Sequence, residues 1–513
     1  MTVPICNLER QSHLAEGRRA RALTLALGCL LIPLWQYTFY RAGDRLDARY
    51  RLQASTGKLM QEKFVYFLYY LGLFPVATEK DDVVFSREGA REVLAKHGDT
   101  LLMEWQHSYR SGSLGTALLY LPDALLRGSP KDPSVRPANG LAFTLALVGL
   151  FAAFWFIRQP VLGSILVLLL GSNPFQLHEA YLRENTFGWP ITAAVALLAL
   201  HVPLLGERKV SPWYLWAVPV ASGLLLASVR QVRPEPLALI LSPMACYLAV
   251  SGARWLVRVG LVGVLFAAYL LGGWGWSAWF DAKHEQARRA VAAAGGHPYP
   301  GPRAQSHLFW HPIWCGLGDF GQKHGYAWDD QAAADYALPL LEEKYGVEIP
   351  KTKRTRSLFK DTYWDEGRHY YKTPYELPHY EEVVRDKVLG DIARDPLWYL
   401  GVLAQRAWRI LWQTTPPRLS VGTAGVDVPM HGVLVLPVLA LLAARQCWWL
   451  LKLVCFSLPL SLPAFAIFSG LGMCHYSCYH LVVVALGAAW LLEATLRRWS
   501  RPRRAAARNE AGP

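Results

Sequence analysis

The feature that most limits what this chain can become is the recurrence of apolar blocks about one bilayer thick. Such a block, roughly 20 residues long, can satisfy its backbone only as a helix when it sits in lipid. Ten blocks are read, at 22–40, 140–157, 160–174, 187–205, 213–229, 236–251, 255–274, 431–445, 447–468 and 479–496. The expected fold class is therefore an all-α polytopic membrane protein of about ten transmembrane helices with two large outer segments. Composition agrees: 53% of the 513 residues are hydrophobic and only 18% are charged, whereas a soluble chain of this length needs a more charged surface.

The distribution of basic residues orients the blocks. A cytoplasmic N-terminus places on one side the arginine-rich start, Arg158, "GERK" at 206–209, Arg254 with Arg258, Arg445 with Lys452, and "RRWSRPRRAAAR" at the end. These segments carry the excess of Lys and Arg that marks cytoplasmic loops. The formal net charge of +14 is thereby assigned to topology, and nucleic acid is excluded as a partner. The expected location is the inner (plasma) membrane, multi-pass, with both termini cytoplasmic. The first block has a basic flank like a signal peptide, and "LALGC" ends at Cys29. The apolar run continues past that cysteine without a small-x-small site, so it reads as an uncleaved span.

The expected organisation is a cytoplasmic start (1–21), a core of about seven helices (22–274) containing an outer loop (41–139), an outer segment (275–430), three last helices (431–496) and a basic tail (497–513). The stretches 62–75 and 395–413 are apolar but short and aromatic, and read as helices lying in the interface. No internal repeat is present.

Five polar clusters fall at the outer ends of the blocks. The first is "YRAGDRLDARYRLQ", with Asp44 and Asp47. A carboxylate there serves as a general base for an acceptor hydroxyl, holds a divalent cation such as Mg or Mn, or belongs to an ion-paired interfacial stretch. The second is His178, Glu179, Arg183 and Glu184 in "GSNPFQLHEAYLRENTFGWP", which reads as a substrate-positioning or metal-ligating loop or as a charged turn. The third is Arg230, Arg233 and Glu235 in "ASVRQVRPEPLAL". Two arginines on the outer side run against the charge rule, and guanidinium suits phosphate recognition; snorkelling to headgroups is the alternative.

The fourth cluster is "MCHYSCYH". Its Cys474, His475, Cys478 and His480 are zinc-ligand types at a spacing that matches no closed zinc module, and His475 with Tyr476 reads as the lining of a membrane-surface cavity or as an aromatic anchor. The fifth comprises "HLFWHPIWCGLGDFGQKHGYAWDD" (307–330) and "YWDEGRHYYKTPYE" (363–376). Its aromatic, His and Asp mixture suits either carbohydrate recognition or a small folded cap. Cys315, Cys474 and Cys478 lie on the expected oxidising side, with no disulfide assignable from spacing.

One span, then a long outer loop opening on "GDRLDARY", resembles the GT-C superfamily of membrane glycosyltransferases, which includes protein O-mannosyltransferases and the lipid A aminoarabinose transferase. "SVRQVRPEPLAL" resembles the Arg-x-Glu stretch of that superfamily, and "IARDPLWYLGVLAQRAWRIL" resembles its membrane-parallel helix. The "HPPL" core of the mannosyltransferases and the "WWDYG" of oligosaccharyltransferases are absent. The resemblance implies a polyprenyl-phosphate-linked sugar donor, an acceptor in the cell envelope and contact with membrane lipids. It implies that Asp44 or Asp47 is the catalytic acid at the first outer loop, and that Arg230, Arg233, Glu235, His178, Glu179, Arg183, Glu184, His475 and Tyr476 line the substrate. A transporter or flippase, or a non-catalytic envelope-biogenesis partner, is the alternative function class.

Overall fold

A computed structural model describes residues 6–42, 76–77, 83–84, 114–127, 134–173, 176–177, 186, 188–206, 210–249, 253–295, 309–321, 323–347, 377, 379–412, 418–421, 424–427, 432–444, 448–467 and 482–495. Each of the ten apolar blocks contains a helix. They are α1 (Cys6–Arg41), α3 (Arg136–Phe156), α4 (Pro160–Gly171), α5 (Trp189–Leu205), α6 (Pro212–Arg230), α7 (Leu241–Leu248), α8 (Trp255–Ala293), α13 (Val435–Ala444), α14 (Trp448–Ser457) and α16 (Val482–Thr495). The short α2 (Leu121–Arg127) precedes α3. Among the described residues, four helical stretches, Ala22–Arg41 within α1 and then α3, α6 and α8, are long and apolar enough to cross a membrane. The architecture is that of a helical membrane protein.

Proline sets many of the boundaries. It lacks a backbone N–H, which the first helical turn does not need, and α3, α4, α5 and α6 each carry a proline in that turn. Ser211 adds a side-chain cap to α6, accepting from the Tyr214 N–H at 3.2 Å. The same property breaks the block at 447–468, where α14 gives way to a 3₁₀ turn at Leu458–Ser461 and then to α15 (Leu462–Ala466). The block at 236–251 likewise starts as a 3₁₀ helix, Glu235–Ile240, before becoming α7.

Side-chain contacts show how the helices align. Trp189 at the start of α5 donates through Nε1 to Asn139 Oδ1 near the start of α3 (2.9 Å). Gln36 near the end of α1 donates to the Gly171 carbonyl at the end of α4 (3.0 Å). At the opposite end, the Tyr214 hydroxyl of α6 donates to the Leu200 carbonyl of α5 (2.6 Å). His201 Nε2 lies 2.8 Å from the Tyr247 hydroxyl of α7, with its ring against Phe456 of α14. Helices α1 and α3 to α7 therefore alternate in direction, and one end of the bundle gathers Gln36, Asn139, Gly171, Trp189 and Arg230.

Lipid tails are as apolar as leucine, so such a bundle is held by close packing rather than by exclusion of water. The α6–α8 pair shows this. A Cβ on Gly223 would lie 2.6 Å from the Leu265 carbonyl and 2.8 Å from the Tyr269 nitrogen, and one on Gly272 would lie 2.9 Å from Ala227 Cβ. Around this seam lies a core containing Phe143, Leu147, Phe154, Leu166, Leu198, Leu226, Leu265, Leu453 and Val483. Outward faces stay apolar: Leu23, Leu30 and Leu34 of α1 and Leu256, Leu270 and Trp274 of α8 are exposed.

The helix that holds the expected span at 255–274 continues well past it. α8 has 39 residues and rises about 58 Å at about 1.5 Å per residue. Its surface changes from apolar to polar beyond an aromatic cluster of Trp276, Trp279 and Phe280. Further on it carries the exposed pair Glu285–Arg289 (3.0 Å, i,i+4). No glycine or proline interrupts that polar half, so nothing local stops the helix.

A second core lies beyond the bundle, built by α9 (Trp310–Leu317), α10 (Asp330–Tyr345), α11 (Tyr380–Arg394) and α12 (Pro396–Trp412) around Trp314, Tyr326, Leu341, Tyr380 and Val384. α12 is the strongly amphipathic helix expected at 395–413; its position relative to a membrane surface belongs to the proposal below. Two short antiparallel ladders, Val76–Ala77 with Val83–Val84 and Arg418–Val421 with Ala424–Asp427, depart from an all-helical reading of the outer segments. The expected interfacial helix at 62–75 lies outside the described residues.

The α6–α8 seam generates a prediction. Gly223→Ala must push apart two backbones and should lower the melting temperature of the purified protein. Gly263→Ala in α8, where an added Cβ meets nothing within 4 Å, should hold or raise it, by up to about 1 kcal/mol from helix propensity. Equal melting shifts for the two variants would contradict the packing described.

Candidate functional site

The end of the bundle that gathers Asn139 and Arg230 carries the polar chemistry. At one corner, α1 and α4 finish together. Gln176 links this corner to α5: its N–H donates to Asn173 Oδ1 (2.9 Å), and its Nε2 donates to the Gly188 carbonyl and to Thr192 Oγ1 (both 3.2 Å). Among the described residues, Asn173 Nδ2, Gln176 Oε1 and Thr186 Oγ1 are buried without a hydrogen-bond partner.

α1 leads into Asp44 and Asp47, and Leu177 leads into His178, Glu179, Arg183 and Glu184. Those six residues themselves lie outside the described residues, as do His475 and Tyr476 with the rest of "MCHYSCYH".

The third cluster is described. Arg230 ends α6, and its Nη1 donates to the Tyr269 hydroxyl of α8 (2.9 Å), with the guanidinium 6.0 Å from that ring's centre. Arg233 is buried just past the helix end. Glu235 opens the 3₁₀ helix; its side chain is outside what the structure describes. The segment before α2 docks onto this turn. The Gly115 N–H donates to the Gln231 carbonyl (2.7 Å) and Thr116 Oγ1 to the Val232 carbonyl (3.3 Å). A Cβ on Gly115 would meet the Gln231 backbone at 2.7 Å, which is why a glycine stands there.

Beside this turn, the 3₁₀ helix Leu114–Tyr120 and α8 bound an open apolar cleft of about 450 Å³, lined by Leu118, Gly272, Gly275, Trp276 and Trp279. A Cβ on Gly275 would meet nothing within 4 Å, whereas one on Gly272 would meet Ala227 and Leu224 of α6. Trp276 is fixed by an Nε1 hydrogen bond to Ser228 Oγ (3.1 Å), two residues before Arg230. In the sequence this cleft corresponds to "GGWGW" (272–276), which straddles the end of the expected span at 274.

A buried ion pair joins the second core to the bundle. Arg406 of α12 is fully buried, with Nε 3.4 Å from an equally buried Asp319 carboxylate. Its Nη1 donates to the carbonyls of Phe465 (3.2 Å) and Ala466 (3.0 Å) at the end of α15, where a cation complements the helix terminus. Among the described residues, neither Nε nor Nη2 has a hydrogen-bond partner, so Asp319 acts on the guanidinium by charge. Arg409 supports the same carboxylate at 3.7 Å and lies 4.1 Å from the centre of the Phe320 ring. Burial lowers the pKa of Arg406, and Asp319 opposes that shift. An arginine inside an apolar helical pattern was the signal in the sequence, but its partner 87 residues away in the chain was not.

Within the second core, burial would raise the Asp391 carboxyl, but hydrogen bonds from Lys387 and Tyr326 prevail and hold it below its ordinary value. Asp395 is likewise held low, by the Lys323 ammonium and the Trp398 N–H. Cys315 is a free, buried thiol, not a disulfide partner, and burial pushes it up to about 12.

Compared with family models, with curated proteins and with solved structures, the chain finds no match.

Two predictions follow from these charges. Asp319→Ala strands Arg406 in an apolar site and should cost about 3–5 kcal/mol, read by thermal unfolding in detergent; a loss below about 1 kcal/mol would mean the pair is not buried in solution. Asp391 and Asp395 have folded pKa values below the ordinary 3.8. Their stabilisation is therefore complete above that value and is lost as pH falls through the folded values. Amide exchange in α11 should accelerate on acidification below about pH 4, and Lys387→Met should reduce that dependence.

Proposed function

We propose that this protein is a membrane glycosyltransferase of the GT-C kind, which moves a sugar from a polyprenyl-phosphate carrier to an acceptor on the outer side of the membrane. The observation that carries this reading is the position of Arg230. Its guanidinium is anchored by Tyr269 at the bundle end, next to an apolar cleft lined by Gly272 and Gly275. A lipid phosphate needs both: an apolar groove for the chain and a fixed cation for the headgroup. A snorkelling arginine needs neither the tyrosine nor the cleft.

In this reading ten helices cross the inner membrane, the termini are cytoplasmic, and α12 lies in the outer interface. The acceptor oxygen attacks the anomeric carbon, and the bond from that carbon to the phosphate oxygen breaks. The acceptor's proton passes to Asp44 or Asp47 as general base. Arg230 and Arg233 face the negative charge that grows on the departing phosphate, the kind of interaction that contributes most to such a transition state. His178, Glu179, Arg183 and Glu184 hold the sugar or acceptor, and His475, Tyr476 and Glu235 complete the lining. A divalent cation such as Mg or Mn at Asp44 or Asp47 belongs to the resemblance.

The test is a transfer assay in nanodiscs with a panel of polyprenyl-phosphate sugars and an envelope extract. The wild type should produce a glycosylated acceptor. Asp44→Asn or Asp47→Asn should abolish transfer, whereas Arg230→Gln should lower it by about 10²-fold or more and weaken carrier binding. Carrier binding without transfer by any variant would favour a transporter or a non-catalytic partner.

A further inference from the structure

Away from the proposed carrier site, the second core contains a compact set of potential metal ligands that belongs to neither reading above. His311 and Cys315 lie one turn apart on the same face of α9, and Asp330 opens α10 opposite them. His311 Nε2 is 3.1 Å from Asp330 Oδ1, and Cys315 Sγ is 3.9 Å from each of those two atoms. Among the described residues this is the group of His, Cys and acidic side chains whose donor atoms all fall within 4.8 Å of one another.

We propose that His311, Cys315 and Asp330 bind one zinc-class divalent cation. Zinc bonds of about 2.3 Å to sulfur and about 2.0–2.1 Å to nitrogen and oxygen, at tetrahedral angles, put neighbouring ligand atoms about 3.3–3.6 Å apart. The three donors already stand within a few tenths of an ångström of that spacing. One thiolate, one imidazole and one carboxylate form a borderline-soft set, which suits zinc or cobalt and not magnesium or calcium.

The supports around the ligands fit the same conclusion. His311 Nδ1 is 2.9 Å from the Tyr380 hydroxyl, so that contact orients the ring and leaves Nε2 for the metal, as an outer-shell partner does. α9 is fixed at its start by the Glu381 carboxylate, which accepts the N–H groups of Phe309, Trp310 and His311 at 2.9, 2.9 and 3.1 Å. α10 is fixed by Asp329, which accepts from the Gln331 N–H at 3.0 Å. His311 and Cys315 are buried, but the Asp330 side chain is 65% exposed. That exposed carboxylate is the side from which a cation would enter. On binding, the Cys315 thiol releases its proton to water and the sulfur bonds to the metal as thiolate. As a hydrogen-bonding group alone, a thiol 3.9 Å from both neighbours gains little.

The experiment uses the full chain in nanodiscs, stripped with a chelator and then titrated with Zn²⁺ or Co²⁺ alone. One equivalent should bind per chain. Co²⁺ should give a sulfur-to-cobalt charge-transfer band in the near ultraviolet together with the visible bands of a tetrahedral ion. Cys315→Ser should remove the charge-transfer band, and Asp330→Asn should weaken binding by at least about 10-fold without disturbing the core, because that side chain is exposed. Tyr380→Phe should weaken it by about 10-fold. The Cys474→Ser/Cys478→Ser double variant should bind as the wild type does. Absence of uptake, a charge-transfer band that survives Cys315→Ser, or loss of binding confined to the Cys474/Cys478 variant would each overturn the proposal. None of these readouts depends on transferase activity.

Discussion

The arrangement of this molecule depends on a single buried charge. Arg406 sits with no exposed surface between the second core and the helical bundle, one nitrogen facing Asp319 and another donating to the last carbonyls of α15. Taking a guanidinium out of water costs several kcal/mol unless partners repay it. Here the carboxylate comes from the loop after α9, and the carbonyls come from a helix that exists only because prolines break the block after α14. The charge is compensated only when all three elements are in place. Formation of the second core and its docking on the bundle are thus linked through one side chain.

Periodicity and proline placement made the helical class and the positions of the ten blocks legible. An apolar run of the right length has one structural solution in lipid, and proline at a first turn shows where it begins. The upper half of α8 was not legible, because hydropathy registers where the apolar surface stops and not where the helix stops. The breaks after α14 and before α7 were visible as prolines inside apolar runs, but a proline can kink a helix or end it, and neighbouring contacts decide between the two. The strand ladders lay in polar segments without the long alternation that announces a sheet.

The site divided along similar lines. Arg230 and Arg233 could be read because they defy the charge rule, and the structure adds Tyr269 and the cleft beside them. Those partners come from a helix packed in parallel, a relation that no local pattern encodes. The proposed ligands stand in the sequence without announcing themselves: His311, Cys315 and Asp330 all lie in the stretch 307–330, but Asp330 comes beside the other two only because α9 and α10 pack around Trp314 and Tyr326. Asp319 was hidden for the same reason. Pairing across separate elements is a property of packing, and packing is what a single sequence conveys least.

The unbroken course of α8 has a mechanical consequence. It passes from the apolar bundle into the polar region as one 39-residue rod, and the cleft lies against its middle, at Gly272 and Gly275. From Trp276 to Ala293 the rod extends about 25 Å. A tilt of about 10° at the cleft would therefore swing the far end by about 4 Å, on the same geometry. A small change of angle where the helix borders the cleft is thereby magnified at Ala293.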